Sequence, residues 1–304
     1  MALHPILAEI IAQTEAAHLP PLSDQSIEQV RKNFALLTRW QGDRAPLPKV
    51  ESHVIKGSSG DLPLRIFYPE VDKKLPVCLY FHGGSYVKGD LETHDPICRH
   101  LAKNSGVVIV ALQYRLAPES TFPAPIEDAL TLISWIEQQQ KQLQIDPSQL
   151  CVAGDSAGGN LAALLTHKLK NRFKLQALIY PQLDFSFSLE SHKKFAKGFL
   201  LEEESLVWAR SLYVPKGIDY QDPELSPLFA SDFGGLPPTF LLTAEYDPLR
   251  DEGELYAKKL IEAGVPVTSH RFESMTHGFV GLSLLLEPAE QALLDVAKAI
   301  REAV

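Results

Sequence analysis

The stretch Leu150-Cys151-Val152-Ala153-Gly154-Asp155-Ser156-Ala157-Gly158-Gly159-Asn160 decides how this chain reads. Leu150 to Ala153 is apolar and predicts a short buried strand. Gly-x-Ser-x-Gly follows, and Leu161, Ala162, Leu164 and Leu165 then continue as the apolar face of a helix. A serine on a sharp strand-to-helix turn has an exposed hydroxyl. The flanking glycines let the chain turn without a Cβ clash and let neighbouring elements approach closely. The helix aims its free N–H groups and positive dipole end at the same spot. Ser156 is therefore a candidate nucleophile. The plain alternative is a tight βα turn in which Ser156 merely caps the helix.

Upstream, Pro76-Val77-Cys78-Leu79-Tyr80-Phe81 is a continuous apolar run, as expected of a strand buried on both faces. It ends in His82-Gly83-Gly84-Ser85-Tyr86. Adjacent glycines expose backbone N–H groups that can hold the oxyanion of a tetrahedral intermediate, and losing one such donor typically costs ~2.7–4 kcal/mol of barrier. The expected hole is the N–H groups of Gly83, Gly84 and Ala157. A glycine turn that only closes a strand is the alternative.

His82-Gly83-Gly84, Tyr114-Arg115-Leu116-Ala117-Pro118-Glu119, Gly154-Asp155-Ser156-Ala157-Gly158-Gly159, Asp247-Pro248-Leu249-Arg250-Asp251-Glu252-Gly253 and His277-Gly278-Phe279 occur in that order. With them the chain resembles the hormone-sensitive-lipase-like group of microbial esterases within the α/β-hydrolase fold. The matches run from about Pro76 to Phe279, and the first fifty residues match only loosely. The resemblance implies a serine carboxylesterase acting on short- to medium-chain esters. It assigns the oxyanion donors to the first two glycines. Where the family usually has a third glycine this chain has Ser85, which adds a Cβ and a hydroxyl beside the site and puts rate and acyl preference in doubt.

The triad needs a base for the serine proton and a carboxylate to orient that base. In this fold the chain order is serine, acid, histidine. Asp247 sits just past the strand Thr239 to Ala244, where a parallel sheet presents its ligand groups. Asp251 opens the next helix and reads as a helix cap or a supporting group. Of ten histidines, His277 follows a strand, precedes the last helix and lies in a short loop. Its rival His270 sits inside a strand. His82 reads as orienting the oxyanion loop. Asp155 points away from the nucleophile on alternation and is expected to hold that loop through His82. His94, His100, His167 and His192 read as surface or loop residues. Arg115 reads as a structural ion-pair partner of Glu119 or Asp128. No His-x-x-x-His, Cys-x-x-Cys or carboxylate spacing suits a metal, so no metal or cofactor is expected.

At 304 residues and 45% hydrophobic, the chain supports one well-buried core, a single α/β domain over 1–304. The net charge of −9 argues against a nucleic-acid partner. Cys78, Cys98 and Cys151 form no paired framework, which suggests a reducing compartment. Met1 to Ile11 lacks the basic start of a signal peptide. No stretch approaches the ~20 apolar residues that span a bilayer. A cytoplasmic location without stable membrane insertion is expected.

Residues 3–17 and 24–40 predict amphipathic helices, with Ile6, Leu7, Ile10 and Ile11 on one face of the first and Ile27, Val30, Phe34 and Leu37 on one face of the second. Strands near 51–57 and 63–68 predict a hairpin. Further strands near 77–81, 107–112, 150–153, 175–180, 239–244 and 266–272 alternate with helices near 92–104, 125–143, 157–170, 252–263 and 286–303. This alternation predicts an eight-stranded, predominantly parallel sheet with helices on both faces. Residues 185–215 break the rhythm with a helical texture. With residues 1–45 they are expected to form a helical cap over Ser156.

Three functions follow. The first is the carboxylesterase. The second uses the same triad as an amidase, lactonase or acyltransferase. The third is a non-catalytic small-molecule receptor, which the presence of His277 disfavours. The last strand should lie at a sheet edge, and the resemblance implies that such edges can pair in a homodimer, although Pro266 and Arg271 could instead protect that edge.

Overall fold

The computed structural model describes residues 2–304. Helices α1 (Pro5–Ala16) and α2 (Ile27–Ala35) precede a hairpin of β1 (Lys49–Gly57) and β2 (Gly60–Tyr68). Then come β3 (Leu75–Phe81), α3 (Asp95–Ser105), β4 (Val108–Leu112), α4 (Ala124–Gln139), β5 (Ile145–Asp155), α5 (Ala157–Lys168) and β6 (Leu175–Ile179). An insertion carries α6 (Glu190–Lys194) and α7 (Glu203–Tyr213), and β7 (Thr239–Tyr246), α8 (Arg250–Glu262), β8 (Val267–Thr276) and α9 (Glu287–Glu302) complete the chain.

The strands form one eight-stranded sheet in the order β1-β2-β4-β3-β5-β6-β7-β8. β1 pairs with β2, and β2 with β4, antiparallel; every other pair is parallel. This is the expected α/β-hydrolase architecture. Strand alternation splits the core in two. Val77, Leu79 and Phe81 of β3 face α4, α5 and α8, where Leu132, Leu161 and Tyr256 are buried. Cys78 and Tyr80 face α3 and α9, where Leu101 and Leu293 are buried. All three cysteines are buried and free. β3 has β4 on one side and β5 on the other, so the chain changes winding direction there. Such a point opens a crevice at the carboxyl ends of the strands.

The second N-terminal helix is shorter than the sequence suggests. Leu22–Asp24 and Leu36–Trp40 are 3-10 turns, and only α2 between them is α-helical. Ser26 sets its start by accepting the Gln29 N–H at 3.2 Å. Val30 is buried, but Leu37 is 46% exposed and does not belong to the packed face. The 185–215 segment is likewise mostly irregular, with helix only in α6 and α7.

Candidate active site

Four loops meet at the carboxyl ends of β3, β5, β7 and β8. Ser156 stands between β5 and α5 with φ 54° and ψ −118°. A non-glycine residue in this region is strained, and the strain holds the hydroxyl out of the sheet. The Ser156 N–H is fixed to the Ile179 carbonyl at 2.9 Å, so the turn cannot relax away from β6. Its hydroxyl lies 3.0 Å from His277 Nε2, and His277 Nδ1 lies 2.8 Å from Asp247 Oδ2. Asp247 is fully buried, and its Oδ1 accepts the Leu249 N–H at 2.8 Å. The Tyr180 ring, 4.6 Å from the imidazole, packs against it. β8 runs on to Thr276, so His277 follows the strand directly. His270 is exposed on β8 and faces Asp295.

The oxyanion turn differs from expectation in one donor. The Gly83 N–H already donates to Asp155 Oδ1 at 2.9 Å. The N–H groups of Gly84, Ser85 and Ala157 have no acceptor among the described residues. The turn that exposes them is unusual: Gly84 has φ 122°, and Ser85 and Tyr86 have φ 56° and 61°. Ser85 thus belongs to the turn that presents these N–H groups.

Asp155 supports this turn directly rather than through His82. Alternation sends its side chain to the α3 side of β5. There it accepts the Tyr80 hydroxyl at 2.8 Å and lies 3.4 Å from His94 Nε2. Burial alone would raise this carboxyl, but His94, Tyr80 and His82 hold it below the usual aspartate value. His82 Nδ1 donates to the Gly83 carbonyl at 2.8 Å, and its ring stacks on Tyr114 at 4.3 Å. Burial and the nearby His94 push His82 down to about 4, so it is neutral at physiological pH. The Tyr114 hydroxyl donates to the His82 carbonyl at 2.6 Å.

His94 and His192 are therefore buried, not surface residues. Nothing in their local sequence marks them, because their partners lie far away in the chain. His192 Nε2 lies 3.1 Å from Glu252 Oε2, beside the buried Asp184. These three have ligand types that could hold a metal. The tautomer argues otherwise: the Leu189 N–H donates into His192 Nδ1 at 3.3 Å, which places the ring proton on Nε2, facing Glu252. A metal-bound histidine has the reverse arrangement, donating from its second nitrogen. Asp184 is engaged by Ser186 and Ser188.

Asp251 is not a cap of its own helix. Its Oδ2 accepts the Ser191 N–H at 2.8 Å, while the Ser191 hydroxyl donates to the Pro248 carbonyl at 2.7 Å. These bonds fasten the inserted segment to the loop that carries Asp247. Arg115 pairs with Asp128 and Glu127, whereas Glu119 pairs with Arg31 of α2. Arg31 also donates to the Val87 carbonyl at 2.9 Å, which docks α2 on the oxyanion turn. From the other side Tyr213 of α7 stacks on Tyr86 at 4.0 Å. Between the two segments lies a crevice of about 420 Å³ lined by Ile11, Leu19, Leu22, Leu200 and Trp208 among others.

A family model described as alpha/beta hydrolase fold matches residues 78–281. An ethyl acetate hydrolase of Pseudomonas putida is 34% identical over 99% of both chains. An arylesterase of Saccharolobus solfataricus is 32% identical over 92% of this chain and 93% of its own. Among solved structures, a hyperthermophilic esterase from Pyrobaculum calidifontis superimposes with a TM-score of 0.93 at 38% identity, covering 99% of each chain. An ester hydrolase from the Lake Arreo metagenome, complexed with a bipyridine phosphonate derivative, gives 0.94 at 36% identity, covering 99% of this chain and 98% of its own. With its sheet order and its linked serine, histidine and aspartate, the chain belongs to the hormone-sensitive-lipase-like esterase group of the α/β-hydrolase fold.

Proposed function

We propose that this protein is a serine carboxylesterase that uses Ser156 as nucleophile, His277 as general base and acid, and Asp247 as the orienting carboxylate. The carrying observation is the unbroken line from the Ser156 hydroxyl through His277 to Asp247, with bonds of 3.0 and 2.8 Å. His277 takes the serine proton as Ser156 attacks the ester carbonyl. Asp247 stabilises the imidazolium that forms. The N–H groups of Gly84, Ser85 and Ala157 hold the oxyanion, each donor being worth ~2.7–4 kcal/mol. The protonated imidazole then delivers its proton to the leaving alcohol. Water, deprotonated by His277, releases the acyl group from Ser156.

Residues 1–45 and 185–215 act as one cap on a single domain. The name of the ethyl acetate hydrolase relative supports short acyl chains. A p-nitrophenyl ester panel from acetate to palmitate, run on the wild type and Ser156→Ala, tests the assignment. Activity should peak at short chains and vanish in the variant; full activity in Ser156→Ala would overturn it. Matched ester and amide substrates separate the esterase from an amidase with the same triad. The three free buried thiols support a cytoplasmic setting. β8, an edge strand with Thr268 to Arg271 exposed, supports a homodimer, which sedimentation would test.

A further inference from the structure

Asp247 is held on both flanks by the inserted segment. Phe195 and Phe199 pack on Tyr246, the residue before Asp247, with ring centres 5.7 and 5.3 Å away, and the Phe199 ring is stacked on it. On the other flank stands Ser191 of α6, which is fully buried. Its hydroxyl donates to the Pro248 carbonyl at 2.7 Å. The Asp251 N–H donates into the same hydroxyl oxygen at 3.2 Å, and the Ser191 N–H donates to Asp251 Oδ2 at 2.8 Å. A single serine thus bonds to both Pro248 and Asp251.

Other bonds of that loop shape it from within. Asp247 Oδ1 accepts the Leu249 N–H at 2.8 Å, and the Asp247 carbonyl accepts the Arg250 N–H at 3.1 Å. The Arg250 guanidinium reaches back to the Glu245 carbonyl at 3.1 Å. The Ser191 hydroxyl reaches the loop's backbone from outside, one residue from Asp247. Asp247 Oδ2 sits 2.8 Å from His277 Nδ1 and has to stay there to orient the imidazole. Pro248 is buried, so its carbonyl without that donor is an unpaired acceptor, which favours a shift of the loop. α6 keeps a second hold on α8 when the hydroxyl is removed, because His192 Nε2 lies 3.1 Å from Glu252 Oε2.

We propose that Ser191 is a positioning residue for ester hydrolysis: by its hydrogen bond to the Pro248 carbonyl it holds Asp247 against His277, so that the triad is aligned only while α6 is docked. This rests on the esterase reading above. Ser191 takes no part in the proton transfers. It acts through the loop that carries the acid, and it makes the inserted segment part of the machinery that orients His277.

The test compares the wild type, Ser191→Ala and Ser191→Cys in three measurements. These are p-nitrophenyl butyrate hydrolysis, the denaturation midpoint, and the low-field proton NMR resonance of the His277 Nδ1–H bonded to Asp247. A misplacement of about 1 Å caused from outside the reacting groups can cost on the order of 100-fold. In Ser191→Ala kcat should fall about 10–100-fold with KM little changed, and the resonance should shift or broaden. Ser191→Cys keeps a weaker donor and should fall between. A lowered midpoint with kcat and the resonance unchanged would mean that Ser191 only fastens the cap, and it overturns the proposal while leaving the esterase standing. A raised KM at constant kcat overturns it as well, because the segment then acts on substrate binding. Should Ser191→Ala not fold, Ser191→Cys against the wild type decides: a reduced kcat with a shifted resonance supports the role, and both unchanged overturn it. A wild type that cleaves no ester overturns the esterase reading and this proposal with it.

Discussion

The nucleophile turn after β5 and the oxyanion turn after β3 face each other across one seam of the sheet, yet they constrain their residues differently. At the nucleophile turn the demand is for space. A Cβ on Gly158 would collide with the Phe81 carbonyl oxygen and crowd the His82 carbonyl, because α5 packs backbone to backbone on the end of β3. At the oxyanion turn Gly83 and Gly84 are also held by contact, a Cβ on them colliding with Asp155 Oδ2 and the Lys88 carbonyl oxygen, but the two residues that follow face a demand for backbone shape alone. Ser85 and Tyr86 meet it with φ of 56° and 61°, at a cost of ~1–2 kcal/mol per residue. A glycine required by contact cannot be replaced, whereas one required only by shape can be.

Gly158→Ala should break the first turn with the largest effect. The obstructing atom is a backbone oxygen in a buried strand, so neither partner can step aside. Overpacking at such a site costs about 1–3 kcal/mol or more. The expected outcome is loss of measurable ester hydrolysis and a lowered denaturation midpoint. A variant with wild-type rates would show that α5 can slide on β3.

Asp155→Ala should come next, acting on the oxyanion turn from beneath. It leaves the Gly83 N–H and the Tyr80 hydroxyl without their buried acceptor. Each unsatisfied group costs roughly 1–3 kcal/mol. The turn then shifts where the hole is formed, and that interaction exists chiefly in the transition state. We expect kcat to fall about 10–100-fold with KM little changed. Asp155→Asn keeps an acceptor for Gly83 and should retain more activity. Equal losses in the two variants would mean that the charge, not the acceptor, matters.

The same contrast explains what the sequence made legible. Ser156, Asp247 and His277 each follow a strand, and strands announce themselves by apolar runs and alternation. Asp155 could be placed on the far side of β5 for the same reason. Its contact with the Gly83 N–H could not be foreseen, because it depends on how β3 and β5 are registered, Phe81 opposite Gly154. That contact engages the Gly83 N–H and leaves those of Gly84 and Ser85 as the free donors of the turn. His94 and His192 were misread as surface residues for a related cause. Their partners Asp155 and Glu252 lie 61 and 60 positions away in the chain, beyond any local pattern. The cap was the least legible part, since Leu36 and Leu37 continue a helical pattern that nothing packs against.

Each turn also has a histidine behind it that should register as acid sensitivity. His82 leads into the oxyanion turn, and burial, then His94, lower it to about 4. His167 ends α5, where a helix C-terminus would favour a cation, yet burial and Lys170 lower it to about 4 as well. Both have ordinary values of 6.5, so the unfolded chain takes up their protons first as pH falls. Stability from these groups is complete above pH 6.5 and is lost progressively toward pH 4. His167 is partly exposed, which reduces its share to on the order of 1–2 kcal/mol. His167→Gln should keep a partner for the Tyr256 hydroxyl, now 3.0 Å from Nε2, and flatten the slope of denaturation midpoint against pH in that window. A slope unchanged in the variant would assign the whole effect to His82 and the carboxylates.

Ser85→Gly sharpens the comparison with the smallest effect. Ser85 is the position where a side chain is tolerated in the left-handed region, at φ 56°. Glycine removes that strain, worth ~1–2 kcal/mol, but it also loosens the unfolded chain by roughly 0.4–1 kcal/mol. The balance is a gain of about 0.5–1 kcal/mol, readable as a small rise in the urea midpoint at constant slope. Gly158 offers no such margin, because there the penalty is a collision and not a torsion. If Ser85→Gly instead lowers stability, the serine hydroxyl is holding the turn, and the two turns are constrained more alike than their backbones suggest.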